Sequence, residues 1–201
     1  MTAAALPLAP ARRRDPSGRV LADLVPGALA RDVTLVVAVA VLTALAAQVV
    51  VPVPGLPVPL TGQTFAVLLG AAALGPWRGA AAQAVYLGAG VVGLPVFAGA
   101  SSGWESVAGA TGGYLVGFVV AGVVVGALAR RGADRRVLST AGAYALGSLT
   151  VYAVGVPWLA VSTGMPAGAA LLTGAVVFLP GDAIKAALAA ALLPSAWRLV
   201  R

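Results

Sequence analysis

Six long apolar runs, parted by short basic clusters and by turns rich in proline and glycine, constrain this chain more than anything else in it. They occupy residues 33–50, 61–74, 79–93, 112–129, 137–163 and 167–193. About 20 apolar residues cross the hydrocarbon core as a helix, the form that satisfies its own backbone polar groups. Only 9% of the residues are charged and 60% are hydrophobic. A soluble domain carries about 25% charged residues, so most of this surface must face lipid. Pro54, Pro57 and Pro59, with Pro52, forbid a helix between the first two runs, and Gly75-Pro76 ends the second. The expectation is an all-α membrane protein: six transmembrane helices over residues 33–194, a tail over 1–32 and a short tail over 195–201.

The basic residues give the orientation. Arg12, Arg13, Arg14, Arg19 and Arg31 precede the first run, and Arg78 follows the second. Arg130, Arg131, Arg135 and Arg136 follow the fourth, and Arg198 and Arg201 follow the sixth. The loops on the opposite side carry no basic residue. Lys and Arg in short loops stay cytoplasmic, which predicts both termini inside a plasma membrane. Residues 20–31 suggest an interfacial helix, with Leu21, Leu24, Val25 and Leu29 apolar and Arg19, Asp23 and Arg31 polar. The arginine triplet is followed by Asp15-Pro16-Ser17-Gly18 rather than an apolar core, so it does not read as a secretory signal.

Several chemistries are excluded. The chain has no cysteine and no histidine, which removes thiolate chemistry, the commonest general base and the commonest metal ligand. No cofactor is expected. The net charge of +7 lies in clusters between apolar runs rather than on one face with aromatics, which argues against nucleic acid. Gly99-Ala100-Ser101-Ser102-Gly103 has the G-x-S-x-G form of a nucleophile elbow, but an intramembrane hydrolase would need a base that the chain lacks, leaving only a Ser–Lys dyad with Lys185. A phosphate-binding loop needs Gly-Lys-Ser/Thr, and the only lysine, Lys185, lies between Ile184 and Ala186.

Asp182 and Lys185 stand inside the last apolar run. Each charge at mid-helix is unfavourable by about 2.5–3.5 kcal/mol on insertion scales. A spacing of three lets them pair on one face. Such a pair can simply neutralise itself, but apolar replacements are often as stable, so a functional role is favoured. Pro180-Gly181 just before them predicts a break or kink there, of the kind that shapes substrate sites. Thr61, Gln63, Thr64, Gln83, Tyr86 and Ser101 are further polar candidates for a cavity, each able instead to bond one helix to another. Trp104 and Trp158 fit an outer aromatic belt.

Five segments in order resemble the BioY family: Pro57-Val58-Pro59-Leu60-Thr61-Gly62-Gln63-Thr64, Leu74-Gly75-Pro76-Trp77-Arg78-Gly79, Gly93-Leu94-Pro95-Val96-Phe97-Ala98-Gly99, Thr111-Gly112-Gly113-Tyr114, and Pro180-Gly181-Asp182 with Lys185. The resemblance implies a six-helix S component that captures biotin from outside. It would act with an energy-coupling-factor (ECF) module of one transmembrane coupling subunit and two ATPase subunits. It further implies ligand contact by Asp182 and Lys185, lids over residues 51–60 and 95–110, and docking on the coupling subunit through Ala40-x-x-x-Ala44. Two positions depart from the pattern: Ser101 where some members carry asparagine, and Leu115 where some carry arginine. Another vitamin, or uptake without the energising module, is the alternative within the same architecture.

Overall fold

The computed structural model describes residues 18–51 and 53–200. Residues 1–17 of the expected N-terminal tail lie outside them, as do Pro52 and Arg201. The fold is helical: α1 (Leu29–Ala47), α2 (Gln63–Leu74), α3 (Pro76–Val91), α4 (Trp104–Ala108), α5 (Gly112–Arg130), α6 (Val137–Thr163), α7 (Ala167–Gly174) and α8 (Leu179–Leu199). Two strands of two residues, β1 (Val50–Val51) and β2 (Leu60–Thr61), pair antiparallel with Val50 opposite Thr61. Among the described residues, four stretches are long and apolar enough to cross a membrane: Leu29–Ala47, Gly112–Arg130, Val137–Thr163, and Ala167–Leu199, which takes in α7 and α8.

Helix α5 is the centre, packed against α2, α3 and α6, while α1 lies outside against α2 and α3. Leu138, Val161 and Leu29 are 87%, 85% and 76% exposed. Exposed apolar side chains this numerous along α1, α6 and α8 fit a surface that faces lipid. Gly75 makes the tight α2–α3 turn at φ 84°, a region open to glycine, and its N–H closes α2 onto the Ala71 carbonyl. Pro76 then opens α3 at the position where its missing N–H is no loss.

Two local expectations are corrected. The last apolar run does not break at Pro180-Gly181. It breaks earlier, where α7 ends at Gly174 and a single 3-10 turn over Val176–Phe178 leads into α8. Pro180 sits in the first turn of α8, where proline is tolerated, so Asp182 and Lys185 follow an intact helix start. Nor do residues 20–31 form an interfacial helix. One 3-10 turn, Leu21–Leu24, precedes α1, and the anchor is Val20, fully buried. Leu24 and Val25 are left exposed.

At this basic end, Arg78 pairs with Asp23 and, at 3.0 Å, with Asp32. Burial pushes the Asp23 carboxyl up, but the hydrogen bond and charge of Arg78 and the Val20 N–H outweigh it and hold it below the usual carboxylate range. Asp134, in the turn between α5 and α6, is 2% exposed and accepts the Trp197 Nε1–H at 2.5 Å. Burial raises its pKa against that hydrogen bond. The Arg135 guanidinium lies 4.7 Å over the Trp197 ring, so this corner clamps the end of α8.

Candidate ligand-binding site

A cavity of about 230 Å³ opens at the other end of the bundle, beyond the N-termini of α2 and α5. Its apolar wall comes from Phe97, Leu115, Phe118, Val151 and Phe178, drawn from the 95–103 loop, α5, α6 and the turn before α8. Its polar groups are hydroxyls and one amide, those of Thr61, Gln63, Thr64, Ser101, Tyr114 and Tyr152, with Thr111 at the α5 start. No charged residue lines it among the described residues. An apolar chamber with a few fixed polar groups suits one small organic molecule.

Most of those polar groups are already oriented by the protein. The Gln63 carbonyl accepts from the Thr61 hydroxyl at 2.7 Å, and its amide donates to the Tyr86 hydroxyl at 2.6 Å. Tyr86 in turn donates to the Val96 carbonyl at 3.2 Å and meets Phe97 edge-on, tying α3 to the loop over the cavity. The Tyr114 hydroxyl donates to the Gly174 carbonyl at 2.8 Å. That satisfies a backbone group at the α7 break, where irregular backbone must be covered by protein. Gly155 makes room for the Tyr114 ring, since a Cβ there would fall 2.5 Å from Cδ1.

The charged couple stands immediately behind the wall. Asp182 Oδ1 lies 3.1 Å from Lys185 Nζ, and the side chains are 10% and 19% exposed. Tyr152 donates to Asp182 Oδ2 at 2.5 Å, and Lys185 donates to Thr64 Oγ1 at 3.0 Å. Both bonds end on residues that line the cavity. Asp182, Lys185, Gln63 and Ser101 are therefore gathered at one end of the molecule, with Tyr86 directly behind Gln63. Gln83 is elsewhere: it is 1% exposed, donates to Thr43 at 3.3 Å between α3 and α1, and does not line the cavity. Ser101 donates to the Ala98 carbonyl at 2.9 Å, while Lys185 is engaged with Thr64 and Asp182 rather than with Ser101.

Two further positions bear on the expectations. Leu115, one of the two positions that depart from the resemblance, is in the wall of the cavity and 5% exposed. Ala40 is 6% exposed and belongs to the core, and Ala44 is half-buried. The open side of α1 instead presents Val33, Val37, Val41 and Leu45.

Tyr152 and Phe178 were not singled out by sequence, and Tyr114 only as part of a motif, not as a cavity residue. A signal existed for the tyrosines. The chain has 4 of them, all within apolar helices, and a buried hydroxyl needs a partner. No comparable signal marks Phe178, whose place depends on where the last run breaks.

The sequence profile of the BioY family matches residues 16–201. A protein of Pyrococcus horikoshii named "Probable biotin transporter BioY" is 38% identical over 160 residues, 80% of this chain and 92% of its own length. The biotin transporter BioY of Rhizobium etli is 35% identical over 167 residues, 76% of this chain and 89% of that one. The crystal structure of the S-component for biotin from an ECF-type ABC transporter shares the fold with a TM-score of 0.76 at 23% identity, covering 84% of this chain and 92% of its own. The overlap is nearly end to end and takes in both walls of the cavity; the chain belongs to the BioY family.

Proposed function

We propose that this chain is a biotin-capture subunit of the membrane, which binds biotin from outside and delivers it with an ECF energising module. The observation that carries the reading is the cavity itself. It is an apolar chamber whose polar wall is backed by a buried aspartate–lysine pair, in a chain whose relatives are biotin transporters. Biotin is a bicyclic urea with an apolar ring and tail. A wall rich in aromatic and aliphatic carbon, with few polar groups, matches that division.

The full reading has six membrane-crossing segments and both termini in the cytoplasm of a plasma-membrane protein. In it, α2 and α3 are the short second and third spans, and α7 with α8 is the sixth. The arginine clusters at one end support that orientation. Residues 51–60 and 95–110 act as lids, supported by the cavity-lining positions of Val58, Phe97 and Ser101. Biotin contact is assigned to Gln63 and Ser101 in the wall, with Asp182 and Lys185 as the electrostatic centre behind it and Tyr86 as a brace. The coupling subunit of the ECF module, carrying two ATPase subunits, meets the exposed side of α1, with Ala44 at its margin and Ala40 inside. The chain carries no nucleotide-binding loop of its own, so energised uptake requires that module.

Radiolabelled biotin, thiamine and riboflavin offered to the purified protein test the substrate. Saturable binding of biotin alone is expected, and preference for another vitamin would overturn the assignment. Uptake into proteoliposomes with and without the energising subunits tests the partnership.

A further inference from the structure

The corner that clamps the end of α8, at the opposite end from the cavity, carries more positive charge than the fold itself neutralises. Trp197 donates to Asp134 at 2.5 Å, which brings the last turn of α8 against the turn between α5 and α6. Arg131 follows α5, Arg136 precedes α6, and Arg198 stands next to Trp197 on α8. All three are exposed, and none pairs with a carboxylate among the described residues. The nearby acids do not offset them. Asp134 faces inward at 2% exposure, and burial disfavours its ionised form. Asp23 and Asp32 are taken by Arg78 and Arg31. Like charges gathered in this way repel one another unless an anion joins them.

Two further observations name the anion. Arg131, Arg136 and Arg198 stand at the ends of three stretches long and apolar enough to cross a membrane, so the corner falls at headgroup level. Beside the arginines, large aliphatic side chains are bare: Leu138 follows Arg136 by two residues, Leu199 follows Arg198, and they are 87% and 88% exposed. A nucleic acid or a free phosphate would answer the charge and leave this carbon in water. We propose that the corner is a binding surface for an anionic phospholipid, with Arg131, Arg136 and Arg198 on its phosphate and Leu138 and Leu199 along its acyl chains. Guanidinium groups present paired N–H donors that match phosphate oxygens, and their long stems run along apolar surface while the charged heads reach outward. Basic pockets between membrane helices take lipid headgroups by the same physics. The Asp134–Trp197 bond, with the Arg135 guanidinium 4.7 Å over the Trp197 ring, sets the spacing of the three arginines. The proposal does not depend on what the cavity holds.

Native mass spectrometry tests this on the full chain, released from detergent after mixing with equal amounts of dioleoyl phosphatidylglycerol and dioleoyl phosphatidylcholine. The native chain should retain phosphatidylglycerol in preference by at least about 30-fold, since each arginine near an anionic headgroup contributes about a fivefold gain. Arg131→Gln, Arg136→Gln and Arg198→Gln together should reduce the preference to under about 3-fold. Arg198→Gln alone should reduce it about fivefold, which keeps the test open if the triple variant does not fold. Arg12→Gln, Arg13→Gln and Arg14→Gln together remove the same charge from the N-terminal tail and should leave the preference in place. Equal loss from both triple variants would show a response to net charge alone and overturns the proposal. A millimolar excess of glycerol 3-phosphate should not displace the lipid; displacement would mark a site for soluble phosphate and overturns it too. Equal retention of the two lipids by the native chain, or an unchanged preference in Arg198→Gln, has the same consequence.

Discussion

Lys185 Nζ lies 3.1 Å from Asp182 Oδ1, one turn apart on α8, and each side chain also reaches a different helix: Lys185 reaches Thr64 on α2, and Asp182 reaches Tyr152 on α6. The pair thus joins three helices around the head of the cavity. Removing one partner leaves an uncompensated buried charge, typically a loss of 3–5 kcal/mol. Lys185→Ala and Asp182→Asn should therefore each abolish high-affinity biotin binding, and Lys185→Ala should also lower the thermal midpoint of the purified protein. Unchanged affinity in both variants would remove the pair from the site.

Gln48, just after α1, holds the loop over the cavity from outside. Its amide nitrogen donates to the Phe97 carbonyl at 3.1 Å and its carbonyl accepts the Ala100 N–H at 3.0 Å. Two hydrogen bonds of this kind contribute on the order of 1–2 kcal/mol together. Gln48→Ala should leave folding intact and speed biotin dissociation roughly 10-fold, measured by chasing bound radiolabel with excess cold ligand. A dissociation rate equal to that of the native chain would show that the loop is held by other contacts.

Tyr114 reaches the Gly174 carbonyl only because Gly155 has no side chain. Gly155→Val puts branched carbon where the ring now lies, and overpacking of that kind is destabilising by about 1–3 kcal/mol. Heat-induced aggregation of the detergent-solubilised protein should shift several degrees lower, and biotin affinity should fall, since Tyr114 and Phe178 share the wall.

Acid should act on the basic end of the molecule. The Asp23 carboxyl is held below its ordinary value of 3.8 by Arg78 despite burial, so ionised Asp23 favours the folded state. Its contribution is complete above the unfolded value and is lost as pH falls through the lower folded one. Asp134 works in the opposite sense, because burial raises its carboxyl and ionisation there opposes folding above its ordinary value of 3.8. Asp23→Asn should lower thermal stability at neutral pH and flatten its decline below about pH 4. Asp134→Asn, which keeps an acceptor for Trp197, should be at least as stable as the native chain at neutral pH. Thermal melts between acid and neutral pH check both signs.

Much of the fold was legible because lipid imposes length and polarity limits that a chain cannot evade. The proline- and glycine-bounded ends of α2 and α3 and the starts of α5 and α6 fell close to the boundaries of the apolar runs. The charged pair stood out because its placement is unfavourable wherever the helix goes. The break in the last run was misplaced because Pro180 has two meanings in sequence, a breaker inside a helix and a permitted residue in its first turn. In the fold the break falls at Gly174, whose carbonyl accepts from Tyr114. Gln83 looked like a cavity residue for the same reason as Gln63: an amide in an apolar run must bond something, and sequence does not name the partner.

Sequence alone determined that this chain is a helical membrane protein, where its arginines cluster between the apolar runs, and that Asp182 and Lys185 are charges set inside the last of those runs. Those are one-dimensional facts, governed by the energy of putting charge and backbone into hydrocarbon. Tertiary structure decided which hydroxyls the two charges grip, because Tyr152 and Thr64 come from helices distant in sequence and meet α8 only after packing. The direction of each hydrogen bond, and so what the cavity offers to a ligand, exists only once three helices share one corner.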